Sequence, residues 1–326
     1  MDATKRNYLL MALFVVAVVG IGTVSLMARR TGKTDQGVYA PAMAKLSSAN
    51  YLDLTVSLDT ILRQTIGTGE NVEVSETPLN VSGPLRLAYP AGGALTAQAN
   101  LTFGAVDQSL TLMRLETIIA ANGQTYAQVN DLPTELNQSL DIGQLNGNWF
   151  SVGSDALAYL LPWLVKSGAS DEVVVLSQPI NADSVSSTAA GILVPYRRYE
   201  DTVIDGRPAA HYEMAVDYEL MKKFLTTVTE ALRGGRCTDD ERQAVARFVD
   251  ERQMMAEVWI DIERMDVLTI TLGLFPNTAD GGVPLVLTLS VNGVNQPFSV
   301  EPPVDARPLS VVLMKALRLP AISAAE

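Results

Sequence analysis

Along most of the chain, apolar and polar residues alternate with a period of two. Tyr51, Leu52, Leu54, Val56 and Leu58 open a strand. Leu95, Ala97, Ala99, Leu101 and Phe103 then alternate with Thr96, Gln98, Asn100 and Thr102. Such a segment has one apolar and one wet face, the pattern of a half-buried strand. Ser109 to Ala120 reads as a long strand, and Asn122-Gly123 turns it into a hairpin with Gln124–Val129. Both turn residues tolerate positive φ, which a two-residue hairpin loop requires. Asn148–Val152 is a short strand carrying Trp149 and Phe150.

The period then becomes helical. Ser154 caps a predicted helix running to Lys166, broken or bent at Pro162. A second β block starts near Ile192, with Asp205-Gly206 joining Arg198–Ile204 to Ala209–Val216. Asp217 caps a helix whose Leu220, Phe224, Val228 and Leu232 share one face. Gly234-Gly235 ends it, and Thr238 with Glu241 forms a capping box for the next helix. The expected helix pair covers about 218–232 and 239–252. Val258, Ile260 and Ile262, then Leu268–Leu274, then Leu285–Val291 restore the two-residue period. Sheets with one solvated face are antiparallel. Pro308 to Leu317 reads as a last helix. The fold class expected is α+β: a curved antiparallel sheet, a half-barrel, with helices packed on its apolar concave face.

One segment has neither period. Tyr8 to Ala28 is apolar and uncharged. Its 21 residues span roughly 30 Å as a helix, the thickness of a bilayer's hydrocarbon core. Leu26 stands where signal cleavage needs a small residue, so the segment is expected to stay as a single-pass signal anchor. The domains expected are a cytoplasmic tail over 1–7, a transmembrane helix over 8–28, a juxtamembrane linker over 29–50 with a short helical turn in PAMAKLSSAN, and an extracytoplasmic domain over 51–326. The basic residues flank both ends almost equally, so orientation rests on the bulk of the following domain.

Composition narrows the function classes. The net charge of −12 repels phosphate backbones, which argues against nucleic acid as a partner. One cysteine, Cys237, and one histidine, His211, leave no intrachain disulfide and no Cys/His zinc cluster. His211 lies mid-strand with no nucleophile elbow in the chain, so it reads as a surface or pairing histidine. Asp239, Asp240 and Glu241 read as a first turn matched to the helix dipole. Trp149 and Trp163 are expected in the core, and Trp259 facing outward or toward a partner. No P-loop or dinucleotide fingerprint is present, and no cofactor, metal or enzymatic activity is expected.

The segments QTYAQVNDLP and LDIGQLNGNWFSV resemble bacterial lipoprotein carriers of the LolA and LppX/LprG type. DTVIDGRPAAHYEMAVDYELMKKFL and AEVWIDIERMDVLTITLGL are similar to the second half of that architecture. The resemblance spans roughly residues 51 to 300 and implies a half-barrel able to hold an acyl chain or glycolipid under its helices. The chain lacks the lipobox cysteine of those lipoproteins and carries the anchor instead. The function expected is a membrane-anchored envelope protein that binds a lipid or other hydrophobic ligand in a groove between sheet and helices. The wall of that groove is placed at Leu95, Leu101, Phe103, Leu220, Phe224 and Val228, residues that share strand and helix faces. The alternative is a structural or protein–protein interaction module whose groove is filled by its own side chains. The bilayer itself is the expected partner of residues 8–28; no protein partner follows from the sequence.

Overall fold

A computed structural model describes residues 37–66, 73–88, 96–105, 110–132, 143–152, 192–233, 236–277 and 283–312. The anchor expected over 8–28 and the helix expected over 154–166 lie outside the described residues. Among the described residues, no helix is long and apolar enough to cross a membrane.

The alternating segments form β1 (Tyr51–Ile66), β3 (Thr96–Ala105), β4 (Leu110–Ile119), β5 (Thr125–Asn130) and β6 (Trp149–Val152). After them come β7 (Leu193–Arg198), β8 (Thr202–Ile204) and β9 (Arg207–Val216). The last block gives β10 (Arg252–Asp261), β11 (Val267–Pro276), β12 (Leu285–Val294) and the two-residue β13 (Arg307–Pro308). One long strand, β2 (Glu73–Ala88), has no counterpart in the alternation pattern. Its Pro78, Gly83 and Pro84 are residues that argue against a central strand. The structure accommodates them by leaving Gly83 and Pro84 unpaired on the β3 side, between the Ser82–Thr102 and Leu85–Ala99 pairs. Proline's missing N–H therefore falls where no ladder bond to β3 is made.

All these strands join one open, curved sheet of 13 strands, ordered β13-β6-β5-β4-β3-β2-β1-β12-β11-β10-β9-β7, with β8 also pairing β9. The pairings are antiparallel except β13 with β6, which is parallel and departs from the purely antiparallel expectation. The second hairpin turn holds both expected residues at positive φ, Asp205 at 48° and Gly206 at 74°; in the first only Gly123 does, at 78°, and the Ala120 N–H donates to the Gln124 carbonyl at 3.0 Å, so that loop has three residues rather than the expected two. The second turn joins β8 to β9, and β7 also pairs β9, so the expected single strand Arg198–Ile204 is two shorter ones.

The register builds a continuous apolar face. Met214, Ala256, Leu272 and Leu287 lie opposite one another from β9 to β12. The row continues through Leu58, Val81, Phe103 and Met113 from β1 to β4. At about 4.8 Å per strand it runs roughly 35 Å across the sheet. On the opposite face, Thr271, Thr288, Ser57, Ser82 and Thr102 form an equally continuous polar row. A register shift of one residue would exchange the two faces, so burial fixes the pairing.

Three described helices close part of the apolar face. Tyr39–Ser47 forms α1, with Tyr39, Ala42, Met43 and Leu46 buried at i, i+3, i+4 and i+7 spacing. The linker expected to extend to residue 50 is therefore corrected: residues 39–47 are part of the domain. Nine residues are too few for a stable isolated helix, so burial of this stripe holds it. Lys45 adds an exposed ion pair to Asp266 at 2.5 Å. Helix α2 (Tyr218–Arg233) is capped by Asp217, whose carboxylate accepts the Leu220 N–H. Helix α3 (Asp239–Asp250) carries the expected Thr238–Glu241 capping box. Lys222 bridges the helices, 2.8 Å from Asp250, and its ammonium is held above its usual range first by that carboxylate and then by Glu219. Residues 309–312 begin the helical turn expected after Pro308; the remainder of that segment lies outside the described residues.

Candidate functional site

The apolar face and the helices on it are the place where the expected groove residues meet. Leu101 and Phe103 are buried on β3, at 5% and 4% exposure. Phe224 is buried on α2, and Leu220 is half-buried on the flank of that helix. All four belong to or pack against one apolar core. Leu95 lies outside the described residues, as does the side chain of Val228. Helix α2 turns Met221 inward beside Phe224, so its buried stripe is centred one residue beyond Leu220. The helical spacing rule is satisfied by both sets; only docking against the sheet decides between them.

Two parts of this site escaped the sequence reading. Val81, Leu85 and Leu87 of β2 are buried between β1 and β3. Their alternation was readable, but the prolines around it masked the signal. The docking of helix α1 on the sheet is the second; the sequence places a helical turn there but leaves it in the linker. The Tyr39 ring of α1 meets Tyr212 of β9 at 5.4 Å between centroids. This helix fills the apolar face over β9–β11. Burial, and to a lesser degree Tyr212, raises the Tyr39 phenol from 10.0 to about 12.

That shift has a testable consequence. A phenol whose pKa is higher folded than unfolded contributes fully below the unfolded value. Its contribution is lost as pH rises through 10 toward 12, because the unfolded chain ionises first. Urea unfolding followed between pH 8 and 11 should show stability falling at the alkaline end by about 1.4 kcal/mol. Tyr39→Phe should flatten that fall; an unchanged slope would mean Tyr39 is not buried in this way.

Coverage of the apolar face is uneven. Val56, Leu289, Ile270, Val258 and Tyr212 are nearly inaccessible in the rows between β1 and β9. Toward the other end, Ala99, Met113, Leu115 and Ile119 of β3 and β4 are only half-buried and pack at the margin of the core. Leu115 continues the row of Leu101, and Val129 of β5 continues it further, also half-buried. This end offers apolar side chains without full burial, the chemistry of a hydrophobic binding surface.

The single histidine sits on the opposite, polar face. His211 of β9 stacks between Trp259 of β10 at 4.5 Å and Tyr199 at 4.8 Å. The Tyr199 hydroxyl donates to Glu213 at 2.6 Å, a bond that raises the phenol above its ordinary value. Trp259 thus lies on the outer face, as its alternation implied, and His211 is held between two rings. Cys237, between α2 and α3, is 3% exposed, and its N–H donates to Glu230. The α2–α3 packing around it keeps the thiol from solvent. Among the described residues, no cluster of three or more metal-ligating side chains occurs.

No family model matches the chain, and no curated protein matches it. Among solved structures, the crystal structure of the lipoprotein LppX of Mycobacterium tuberculosis is similar in part. It shares 10% identity over 81% of this chain and 96% of its own, with a TM-score of 0.35. That degree of likeness assigns the chain to no family.

Proposed function

We propose that this is a membrane-anchored envelope protein that holds a lipid or other hydrophobic ligand against the apolar face of its sheet. The anchor is the apolar segment 8–28, which places the β domain outside the cytoplasm. The protein binds rather than catalyses. One observation carries the reading: the apolar rows continue beyond the fully buried core onto β3–β5, where Ala99, Met113 and Leu115 are half-buried. An acyl chain lying there gains about 0.8 kcal/mol per buried methylene and needs no polar recognition motif. A rival reading, an interaction module with a filled core, draws on the same face: from β1 to β9 it is already closed by the protein's own side chains.

The experiment fills the uncovered end with an apolar group. The full chain, extracted from membranes, is analysed by native mass spectrometry, and Ala99→Phe is compared with the wild type. The wild type should carry co-purified lipid. The variant should lose it while its stability changes by less than about 1 kcal/mol. A variant destabilised by about 1–3 kcal/mol, as overpacking would cause, with no lipid in the wild type, would establish the filled core instead. Full-length protein recovered from the soluble fraction and shortened near residue 28 would remove the anchor.

A further inference from the structure

The chain joins the domain on its apolar face. Helix α1 lies over β9–β11, with Tyr39 against Tyr212 of β9 and Lys45 on Asp266, beside the β10–β11 turn. Tyr212 pairs with Val258 in the middle of the sheet, so α1 runs from the middle of the face outward to that turn. Its first residue is the one farther from the rim. Val38, just ahead of it, also packs against the core. The entry point therefore lies among the apolar rows and not on the hydroxyl-lined side of the sheet.

Residues 29–38 separate that point from the apolar segment ending at Ala28. A stretch of that length reaches at most about 35 Å when fully extended. The half-buried rows on β3 and β4 are not far beyond it: β4 stands six strand steps from β10, roughly 30 Å at the usual strand spacing. The tether and the apolar face are thus of similar length. Turning the polar side to the bilayer would instead take the tether past the β7 edge, two strand steps from β10, and around the sheet. That detour uses up about 20 Å, more than half the available reach.

We infer that the domain takes its lipid in cis, from the leaflet of the bilayer that holds its own anchor, onto the β3–β5 end of the apolar face. The inference rests on the anchored, lipid-binding reading above and adds to it the source of the ligand. Helix α1 already covers β9–β11, so the receiving end is the one where Ala99, Met113 and Leu115 are half-buried. An acyl chain crossing bulk water would expose its whole apolar surface on the way, whereas a face held against the leaflet avoids that exposure. The tether also makes each encounter with that leaflet intramolecular, at an effective concentration set by its length. Proximity, and not a headgroup motif, then selects the ligand.

The test uses the full chain with residues 30–36 replaced, at unchanged length, by a site-specific protease sequence. It is reconstituted into phosphatidylcholine–phosphatidylglycerol vesicles with deuterated acyl chains and mixed with an equal amount of protein-free vesicles of the same, unlabelled lipids. At successive times the protease releases the domain without detergent, the vesicles are sedimented, and the lipid left with the domain is identified by mass spectrometry. The initial rate of loading should be at least about tenfold higher for deuterated than for unlabelled lipid. Lengthening the tether by about 30 Gly/Ser residues should slow deuterated loading about three- to tenfold and leave unlabelled loading unchanged. Equal rates for the two lipids, or deuterated loading indifferent to tether length, would overturn capture in cis while leaving lipid binding in place. A released domain that carries neither lipid would overturn the binding reading, and this inference with it.

Discussion

Replacing Gly83 by alanine is expected to destabilise the domain by about 3–4 kcal/mol. Gly83 stands at φ +156°, and a Cβ there would lie 1.9 Å from the backbone oxygen of Asn100. A backbone oxygen cannot swing away as a side chain can. Moving it means separating β2 from β3 where Leu101, a residue of the candidate site, passes within 3.2 Å of that Cβ position. On its other side β2 is tied to β1 from Tyr51–Ala88 to Ile66–Glu73, so the strand has no slack. Gly123→Ala separates space from conformation. That glycine has φ +78° and nothing within 4 Å of the added Cβ, so it should lose only about 1–2 kcal/mol. Denaturant midpoints of the two variants decide the matter. Equal losses would mean that β2 and β3 do not approach as described.

The next largest effect is expected at Asp261, a carboxylate only 1% exposed at the end of β10. One of its oxygens accepts the N–H groups of Glu263 at 3.0 Å and Arg264 at 2.8 Å. The other lies 4.0 Å from the Arg207 guanidinium. These contacts hold the tight turn in which Met265 takes φ 54°. Asp261→Leu removes the acceptor and leaves both donors without it, at an expected cost of about 3 kcal/mol. Asp261→Asn keeps one acceptor oxygen and should cost about 1 kcal/mol. The damage should also reach α1, because Lys45 is anchored on this turn through Asp266 and the Arg264 carbonyl. Hydrogen exchange should therefore accelerate in residues 39–47 of the leucine variant more than in β3. Uniform acceleration would mean that α1 is held by burial alone and does not depend on the turn.

The first prediction turns on a contact between strands that no local pattern announces, the second on a local Asx-type turn, and the same division runs through the candidate site. Leu101 and Phe103 were legible because strict alternation puts them on one face of β3. Phe224 was legible because helical spacing holds it on the apolar stripe of α2. Leu220 was assigned with equal reason, yet Met221 is the residue turned inward. The difference between them is a rotation of the helix about its axis, set by the sheet it rests on. The outer stack of Tyr199, His211 and Trp259 joins residues from different strands. Sequence marked Trp259 as outward-facing but could not bring His211 onto its ring.

By itself the sequence determined what depends on neighbours a few residues apart. The hairpins at Asn122-Gly123 and Asp205-Gly206 follow from residues that tolerate positive φ. The capping box of α3 follows from Thr238 and Glu241 three positions apart. The faces of β3, β10, β11 and β12 follow from alternation. Tertiary structure decided the rest. It made a strand of β2 despite two prolines, because β1 pairs one edge throughout while the other edge skips Gly83 and Pro84. It set β1 beside β12, pairing Val56 with Leu289 across more than half the chain. It folded Tyr39–Ser47 onto the sheet, since so short a helix is stable only where its apolar stripe is covered. The physical reason is range. Dihedral preference, capping and periodicity act within a few residues. Strand order, helix rotation and the extent of an uncovered apolar face depend on which distant surfaces bury one another.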